Sequence, residues 1–130
     1  MSDNFSLEII SPDKIILESK TKQVTIPAYE GLMTILKDHI SLVTFLRPGF
    51  IEAEIDNKIN KFYVEDGTVE FTNNKLLILS ATAKNKNDFQ NQDIQKILQD
   101  AKNKIINSQI NDKERYLLSY KIEALQEIIQ

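Results

Sequence analysis

The stretch IPAYEGLMTILKDHISLVTFLRPG, residues 26–49, decides how this chain folds. It contains the only His, two of the three Pro and two of the three Gly. Two apolar runs, 32–36 and 40–46, flank a polar break at 37–39. Apolar runs of this length, bounded by Gly and Pro, predict a strand, a tight connection and a second strand. The Gly residues near its two ends suit a positive φ or a close approach of two backbones.

Strand-like alternation continues on both sides of this stretch. Apolar and polar residues alternate over 5–9, 51–55 and 68–72, which is the period of a half-buried strand. Turn-forming residues separate these segments, for example at 11–13 and 56–58. We therefore predict a mainly β N-terminal part, an antiparallel β-sandwich or flattened barrel of about eight to ten strands.

The C-terminal part changes to helical spacing. Apolar residues recur every three or four positions on both sides of a break at 107–111, which predicts two amphipathic helices. Asn111 and Glu114 have the spacing of a capping box at the start of the second helix. A short loop between two helices predicts an antiparallel hairpin. The predicted organisation is a β-sandwich domain at 1–83, a linker at 84–91 and a helical hairpin domain at 92–130.

Composition excludes several classes of protein. The net charge of −3 argues against a nucleic-acid partner, and the absence of Cys excludes disulfides and thiolate metal sites. No apolar run approaches the roughly 18 residues of a membrane helix, so direct lipid insertion is not expected. The N-terminus resembles neither a signal peptide nor a transit peptide, which predicts an uncleaved cytoplasmic protein.

The inventory for catalysis is poor. His39 has Ser41 nearby, but no nucleophile-elbow sequence surrounds either residue. Glu52 and Glu54 alternate on one strand face, and a solvated surface explains them more simply than acid–base chemistry. No Gly-rich phosphate loop is present, and a metal site would need carboxylates without a second His. We predict no catalytic residues, no metal and no cofactor.

Three pieces of the chain together resemble the epsilon subunit of bacterial F-type ATP synthases. They are residues 23–49, residues 62–79 (FYVEDGTVEFTNNKLLIL) and the helical tail. The most specific matches are Glu30-Gly31 before an apolar strand, His39 five residues before Thr44, and Leu46-Arg47-Pro48-Gly49. The resemblance covers nearly the whole chain and implies a β-sandwich followed by a helical hairpin.

The resemblance also implies a function and partners. It implies a non-catalytic rotor subunit of a proton-translocating synthase, placed beside the gamma subunit and the c-ring at the cytoplasmic face of the bacterial inner membrane. The hairpin is then expected to extend along gamma and to inhibit ATP hydrolysis through basic contacts with the alpha/beta hexamer. Residues carried over as gamma contacts are His39, Ile40, Ser41 and Leu42. Those carried over as c-ring contacts are Tyr29, Glu30, Gly31, Leu32 and Met33, and the candidate inhibitory contacts of the tail are Lys113, Arg115 and Lys121.

The sequence departs from the family pattern at several of these positions. Ala28 stands where a Gly is common, Leu32 and Thr34 replace an acidic residue and a Gly, and Lys37-Asp38 replaces Pro-Gly before the His. Some relatives bind ATP through an Ile/Leu-Asp-x-x-Arg-Ala motif and further arginines. The corresponding residues 93–96 offer no such arrangement, so no tight ATP binding is expected.

Two other interpretations stay open on the sequence. One is a free-standing β-sandwich that binds proteins and dimerises through its helical hairpin. The other is an enzyme, against which the missing nucleophile, metal and phosphate motifs argue. Helices of this length are marginal in isolation, so the hairpin must pack on something. If it packs on the sandwich or on a partner with similar free energy, it has two arrangements.

Overall fold

A computed structural model describes residues 3–107 and 109–129 of the chain. Residues 1–2 and 130, at the ends of the predicted domains, and Ser108, in the predicted break, lie outside this part. The described chain contains ten strands and then two α-helices, which confirms the predicted fold class. The strands are β1 Phe5–Ile10, β2 Ile15–Thr21, β3 Gln23–Ala28, β4 Gly31–Leu36, β5 Leu42–Leu46, β6 Gly49–Ile55, β7 Lys58–Val64, β8 Gly67–Thr72, β9 Lys75–Leu79 and β10 Lys84–Asn85. The helices are α1 Asn91–Ile105 and α2 Asp112–Ile129.

The strands form one strongly curved sheet. Its order is β10-β7-β6-β3-β5-β8-β9-β1-β2, and β4 adds to β3 off this path. All pairs are antiparallel except β1 with β9, which are parallel. Two-residue turns join β6 to β7 and β8 to β9, with positive φ at Asp56-Asn57 and Asn73-Asn74. Asn and Asp tolerate this conformation, and such turns match the twist of antiparallel strands.

The stretch 26–49 holds two strands that do not pair with each other. β4 pairs with β3, whereas β5 pairs with β8 and touches β3 only at its end. The connection between them is held by the turn that joins β8 to β9. Asp38, with φ of 66°, accepts a hydrogen bond from Asn74 Nδ2 at 2.9 Å, and its N–H donates to Asn74 Oδ1. The connection extends through Ser41, and β5 begins at Leu42, two residues later than the apolar run suggested.

The sandwich encloses one hydrophobic core. Inward-facing residues of β1, β3, β6, β8 and β9 are fully buried there. Each large apolar side chain of this kind contributes about 1.5–3 kcal/mol by its burial. Gly49 allows the backbone to approach Pro27, because a Cβ at that position would lie 2.8 Å from Pro27 Cβ. The largest fully buried side chains of this core are Phe5, Phe71, Leu7, Ile9, Ile26, Ile35, Leu46, Ile51, Leu76 and Ile78.

The two helices form a hairpin that packs on the outer face of β6 and β7. Asn111 Oδ1 accepts a bond from the Glu114 N–H at 2.7 Å, so the predicted cap of α2 is present. The segment 84–91 contains β10, a 3-10 turn at Lys86–Asp88 and the first residue of α1. A second, smaller core fills the seam between hairpin and sandwich. It consists of Tyr63, Ile94, Leu98, Ala124 and Leu125.

Candidate protein-interaction site

The outer face of β5, β8 and β9 carries apolar side chains in solvent. Val43 is 71% exposed and Phe45 57% exposed, on the side of β5 opposite the core. Phe45 lies opposite Thr68 of β8, and Thr68 lies opposite the exposed Leu79 of β9. These side chains form an exposed apolar patch that Thr68 and Glu70 of β8 interrupt, and exposed apolar patches on folded proteins mark interaction surfaces.

The four predicted gamma contacts lie in and after the connection between β4 and β5. The His39 ring packs edge-on against Phe71, with centroids 6.0 Å apart, and its Nδ1 lies 2.7 Å from the Ile40 carbonyl oxygen. Ile40 is 79% exposed and Ser41 is also exposed, while Leu42 packs partly against the sandwich core. Ile40 and Ser41 are therefore exposed to solvent, whereas the His39 ring lies against the sheet.

The five predicted c-ring contacts form the turn between β3 and β4 and the start of β4. Tyr29 and Glu30 are the two turn residues, because Ala28 pairs with Gly31. Glu30 is exposed in the turn, and Gly31 has φ of 136°. In β4 the side chains alternate, with Leu32 exposed and Met33 packed against the core.

An aromatic row crosses the seam from this turn to α2. Tyr116 Oη donates to the Tyr29 carbonyl at 2.8 Å, and the two rings are stacked with centroids 6.3 Å apart. Tyr116 also contacts Tyr120 edge to face at 5.0 Å. The guanidinium of Arg47 lies 3.7 Å from the centre of the Tyr120 ring and donates to the Pro48 carbonyl. A cation over an aromatic face is favourable, so this row fastens α2 to the sandwich.

Two ion pairs also join α2 to the sandwich. Lys121 Nζ lies 3.2 Å from Glu65, which accepts a bond from the Tyr63 hydroxyl at 3.0 Å. Burial, together with the Glu65 carboxylate, raises the pKa of Tyr63 well above its usual range. Lys61 Nζ lies 3.1 Å from Glu127, and the hydrogen bond that it donates to this carboxylate raises the pKa of Lys61. Partly exposed pairs of this kind contribute about 0–1 kcal/mol each.

The three predicted inhibitory contacts have different surroundings. Lys113 is exposed and lines an open cleft of 960 Å³ at the edge of the apolar patch. The Arg115 guanidinium donates to the carbonyls of Ile105 at 2.6 Å and Asn107 at 3.5 Å, where it satisfies the C-terminal end of α1. Lys121 is held by the sandwich. In this arrangement Lys113 alone of the three makes no ion pair or hydrogen bond within the described chain.

The described residues contain no group of His, Asp or Glu side chains that could hold a metal ion. Glu52 is one of the two Glu residues considered above for acid–base chemistry. Its carboxylate lies 3.6 Å from Lys61 Nζ in an ion pair. Among the helices described, none has the length and apolar character needed to cross a membrane.

Sequence reasoning missed the aromatic contacts between hairpin and sandwich. Tyr116 and Tyr120 lie four positions apart and therefore on one face of α2, which was the available signal. Arg47 was noted only as part of a motif, although it is 7% exposed and its Nε has no hydrogen-bond partner in the described structure.

Comparison with known proteins agrees with this architecture. Residues 4–86 match the family described as ATP synthase, Delta/Epsilon chain, beta-sandwich domain. The chain belongs to this family. Among its relatives, the ATP synthase epsilon chain of Pelagibacter ubique (strain HTCC1062) is 41% identical over 126 residues, 96% of this chain and 97% of the relative. The ATP synthase epsilon chain of Endomicrobium trichonymphae is 29% identical over 122 residues, 94% and 85% of the two chains.

Two solved structures share the fold of this family member. A chain in the cryo-EM structure of the Euglena gracilis mitochondrial ATP synthase superposes with a TM-score of 0.80 and 20% identity, covering 100% of this chain and 84% of that one. A chain in the central stalk/c-ring structure of the Tetrahymena thermophila mitochondrial ATP synthase gives 0.63 and 13% identity, covering 96% of both chains. At these identities the likeness shows the fold.

Family membership resolves the question left open by the sequence. As a delta/epsilon chain, the protein is a subunit of ATP synthase and not its catalytic subunit. The interpretation as a synthase subunit is thereby supported over a free-standing binding module and over an enzyme.

Proposed function

We propose that this chain is a rotor subunit of a proton-translocating F-type ATP synthase that couples gamma to the c-ring. The observation that carries this proposal is the uncovered apolar patch of β5, β8 and β9, next to the exposed Ile40. A torque-transmitting subunit needs a rigid body with a large exposed contact surface. The packed sandwich supplies the rigid body, and the patch supplies the surface.

The proposed contacts follow the carried-over residues. Gamma is proposed to bind His39, Ile40, Ser41 and Leu42 together with the adjoining patch. The c-ring is proposed to bind the turn from Tyr29 to Met33, where Glu30 and Leu32 are exposed. This assigns the chain to the periphery of the membrane, at the cytoplasmic face of the bacterial inner membrane.

A second proposed role belongs to the hairpin. The sandwich at 1–83 would hold the rotor contacts, the segment 84–91 would act as a linker, and the hairpin at 92–130 would move to inhibit ATP hydrolysis. Its contacts with the alpha/beta hexamer would use Lys113, Arg115 and Lys121. Lys121 is paired with Glu65 of the sandwich, so undocking would free it for the hexamer, whereas Arg115 bonds within the hairpin and would be freed only if α1 and α2 also separated. No tight ATP binding is proposed.

Co-purification with gamma and the c-ring tests the rotor proposal. Val43→Glu places a second carboxylate in the patch, directly opposite Glu70 of β8, and we expect it to abolish co-purification. Ile59→Glu is a matched control, because Ile59 is also an exposed apolar strand residue but lies on β7, outside the patch. Retention of Val43→Glu in the complex, or equal loss of both variants, would contradict the proposal.

ATPase assays of the assembled enzyme test the hairpin proposal. Replacement of Lys113, Arg115 and Lys121 by Gln is expected to raise the rate of ATP hydrolysis, because the basic contacts with the hexamer are lost. An unchanged rate in an enzyme that retains the variant chain would remove the inhibitory role.

A further inference from the structure

The turn between β3 and β4 is held by contacts from residues outside these two strands. On one side the Tyr29 N–H donates to the Phe45 carbonyl of β5 at 3.1 Å. On the other side Tyr116 of α2 donates its hydroxyl to the Tyr29 carbonyl and stacks on the Tyr29 ring. The turn is therefore bracketed by the sandwich and by the hairpin.

Local packing alone does not fix the shape of this turn. Gly31 has φ of 136°, and a Cβ built there would have no atom within 4 Å. Gly adopts several backbone conformations at little cost, and a turn carbonyl without a protein donor bonds to water instead. The Tyr116 contact therefore acts together with the bond from Tyr29 N–H to Phe45 to select one shape from those that Gly31 permits.

The contact leaves the outward side of the turn free. Glu30 and Leu32 are exposed, whereas Tyr29 and Tyr116 are 37% and 36% exposed, about a third in each case. A partner that binds Glu30 and Leu32 does not need to displace Tyr116. Docking of α2 and binding of a partner at the turn are thus compatible, and a turn already in the bound shape binds with a smaller entropy cost.

We propose that Tyr116 is a positioning residue for the β3–β4 turn, so that docking of the hairpin and binding of a partner at this turn favour each other. Linkage makes the effect reciprocal: whatever fixes the turn in this shape also favours the docked hairpin. The positioning role is inferred from the contacts of Tyr116 with Tyr29 within the chain. Its effect on a partner rests on the proposed function, in which the c-ring binds this turn.

Tyr116→Phe in the full-length chain tests the positioning directly. This variant keeps the ring and removes the hydroxyl, and a hydrogen bond of this kind corresponds to about a fivefold change in an equilibrium constant. We expect amide hydrogen exchange to accelerate by about that factor at Tyr29, whose N–H donates to the Phe45 carbonyl, and at Gly31, which pairs with Ala28. The carbonyl ¹³C resonance of Tyr29 should shift as well, because it loses its donor.

Tyr120→Phe is the matched control, since it removes a hydroxyl one turn further along α2 and keeps the ring under Arg47. We expect this variant to leave exchange at the turn unchanged. Unaltered exchange in Tyr116→Phe would overturn the proposal. Equal acceleration at the turn and throughout α2 would also overturn it, because Tyr116 would then only stabilise the hairpin.

Binding to a subcomplex of gamma and the c-ring tests the linkage. We expect Tyr116→Phe to bind about fivefold more weakly than Tyr120→Phe. Equal binding of the two variants, with the parent chain bound, would overturn the linkage. If the parent chain itself does not bind, the proposed function fails, and the exchange experiment on the isolated chain decides the positioning role by itself.

Discussion

Replacement of Leu125 by Ala is expected to undock the helical hairpin and leave the sandwich folded. Leu125 is fully buried at the centre of the seam, in the cluster that also contains Tyr63 and Ile94. This cluster is separate from the core inside the sandwich. Loss of packing in the seam therefore acts on docking and not on the strands.

The magnitude follows from the burial of this side chain. Transfer of a Leu side chain out of water is worth about 1.5–3 kcal/mol, and the cavity left by Ala raises the total to about 2–5 kcal/mol. A loss of about 3 kcal/mol lowers the ratio of docked to undocked hairpin about 100-fold. The ion pairs of the seam, at about 0–1 kcal/mol each, do not offset this loss.

Hydrogen exchange of the full-length chain measures the effect by segment. In Leu125→Ala we expect faster exchange in α1 and α2 and unchanged exchange in β1, β8 and β9. Leu76→Ala is the matched control, since it removes the same atoms from a fully buried site in the sandwich core. It should accelerate exchange in the strands. If Leu125→Ala accelerated strands and helices alike, hairpin and sandwich would be one cooperative unit and the reasoning would be refuted.

Two further predictions concern the backbone and pH. Gly67→Ala is expected to lower the melting temperature more than Gly31→Ala: both have positive φ, but only at Gly67 would a Cβ lie 2.6 Å from the Leu79 carbonyl oxygen. Equal losses in thermal melts would contradict this. Because folding raises the pKa of Tyr63 above its ordinary 10.0, stability is fully present below that pH and falls as the pH rises above it. Lys61, raised above 10.5, acts in the same direction. Melts between about pH 7 and 11 should show this fall, and Tyr63→Phe should flatten it; an equally steep fall would exclude Tyr63 as its cause.

Much of the local structure was predictable from the residues. The period of two from Phe5 onward identified strands, and the change of spacing in the tail identified both helices and the Asn111 cap. These features depend on neighbours a few positions apart, which the sequence displays directly. Asp38 is an instructive case. It stands where the family pattern has Gly, and it adopts the positive φ that such a position requires.

The arrangement of the candidate site was harder to predict from the sequence. His39 attracted attention as the only His, yet its ring packs on Phe71, and the exposed side chain beside it is Ile40. The patch of Val43 and Phe45 depends on which face of β5 is turned to solvent. Alternation shows that β5 has two faces, but only the packing of the sandwich shows which of them is turned to the core.

The sequence by itself determined the strands, the helical hairpin and the family, because period, turn residues and short motifs are local properties. Only the tertiary structure decided that β1 pairs in parallel with β9, that the hairpin covers β6 and β7, and that Tyr116 reaches the turn at Tyr29. The last contact joins residues 87 positions apart. Contacts over such distances are set by the order of strands in the sheet and by the fit between hairpin and sandwich. Neither property is visible in a window of neighbouring residues.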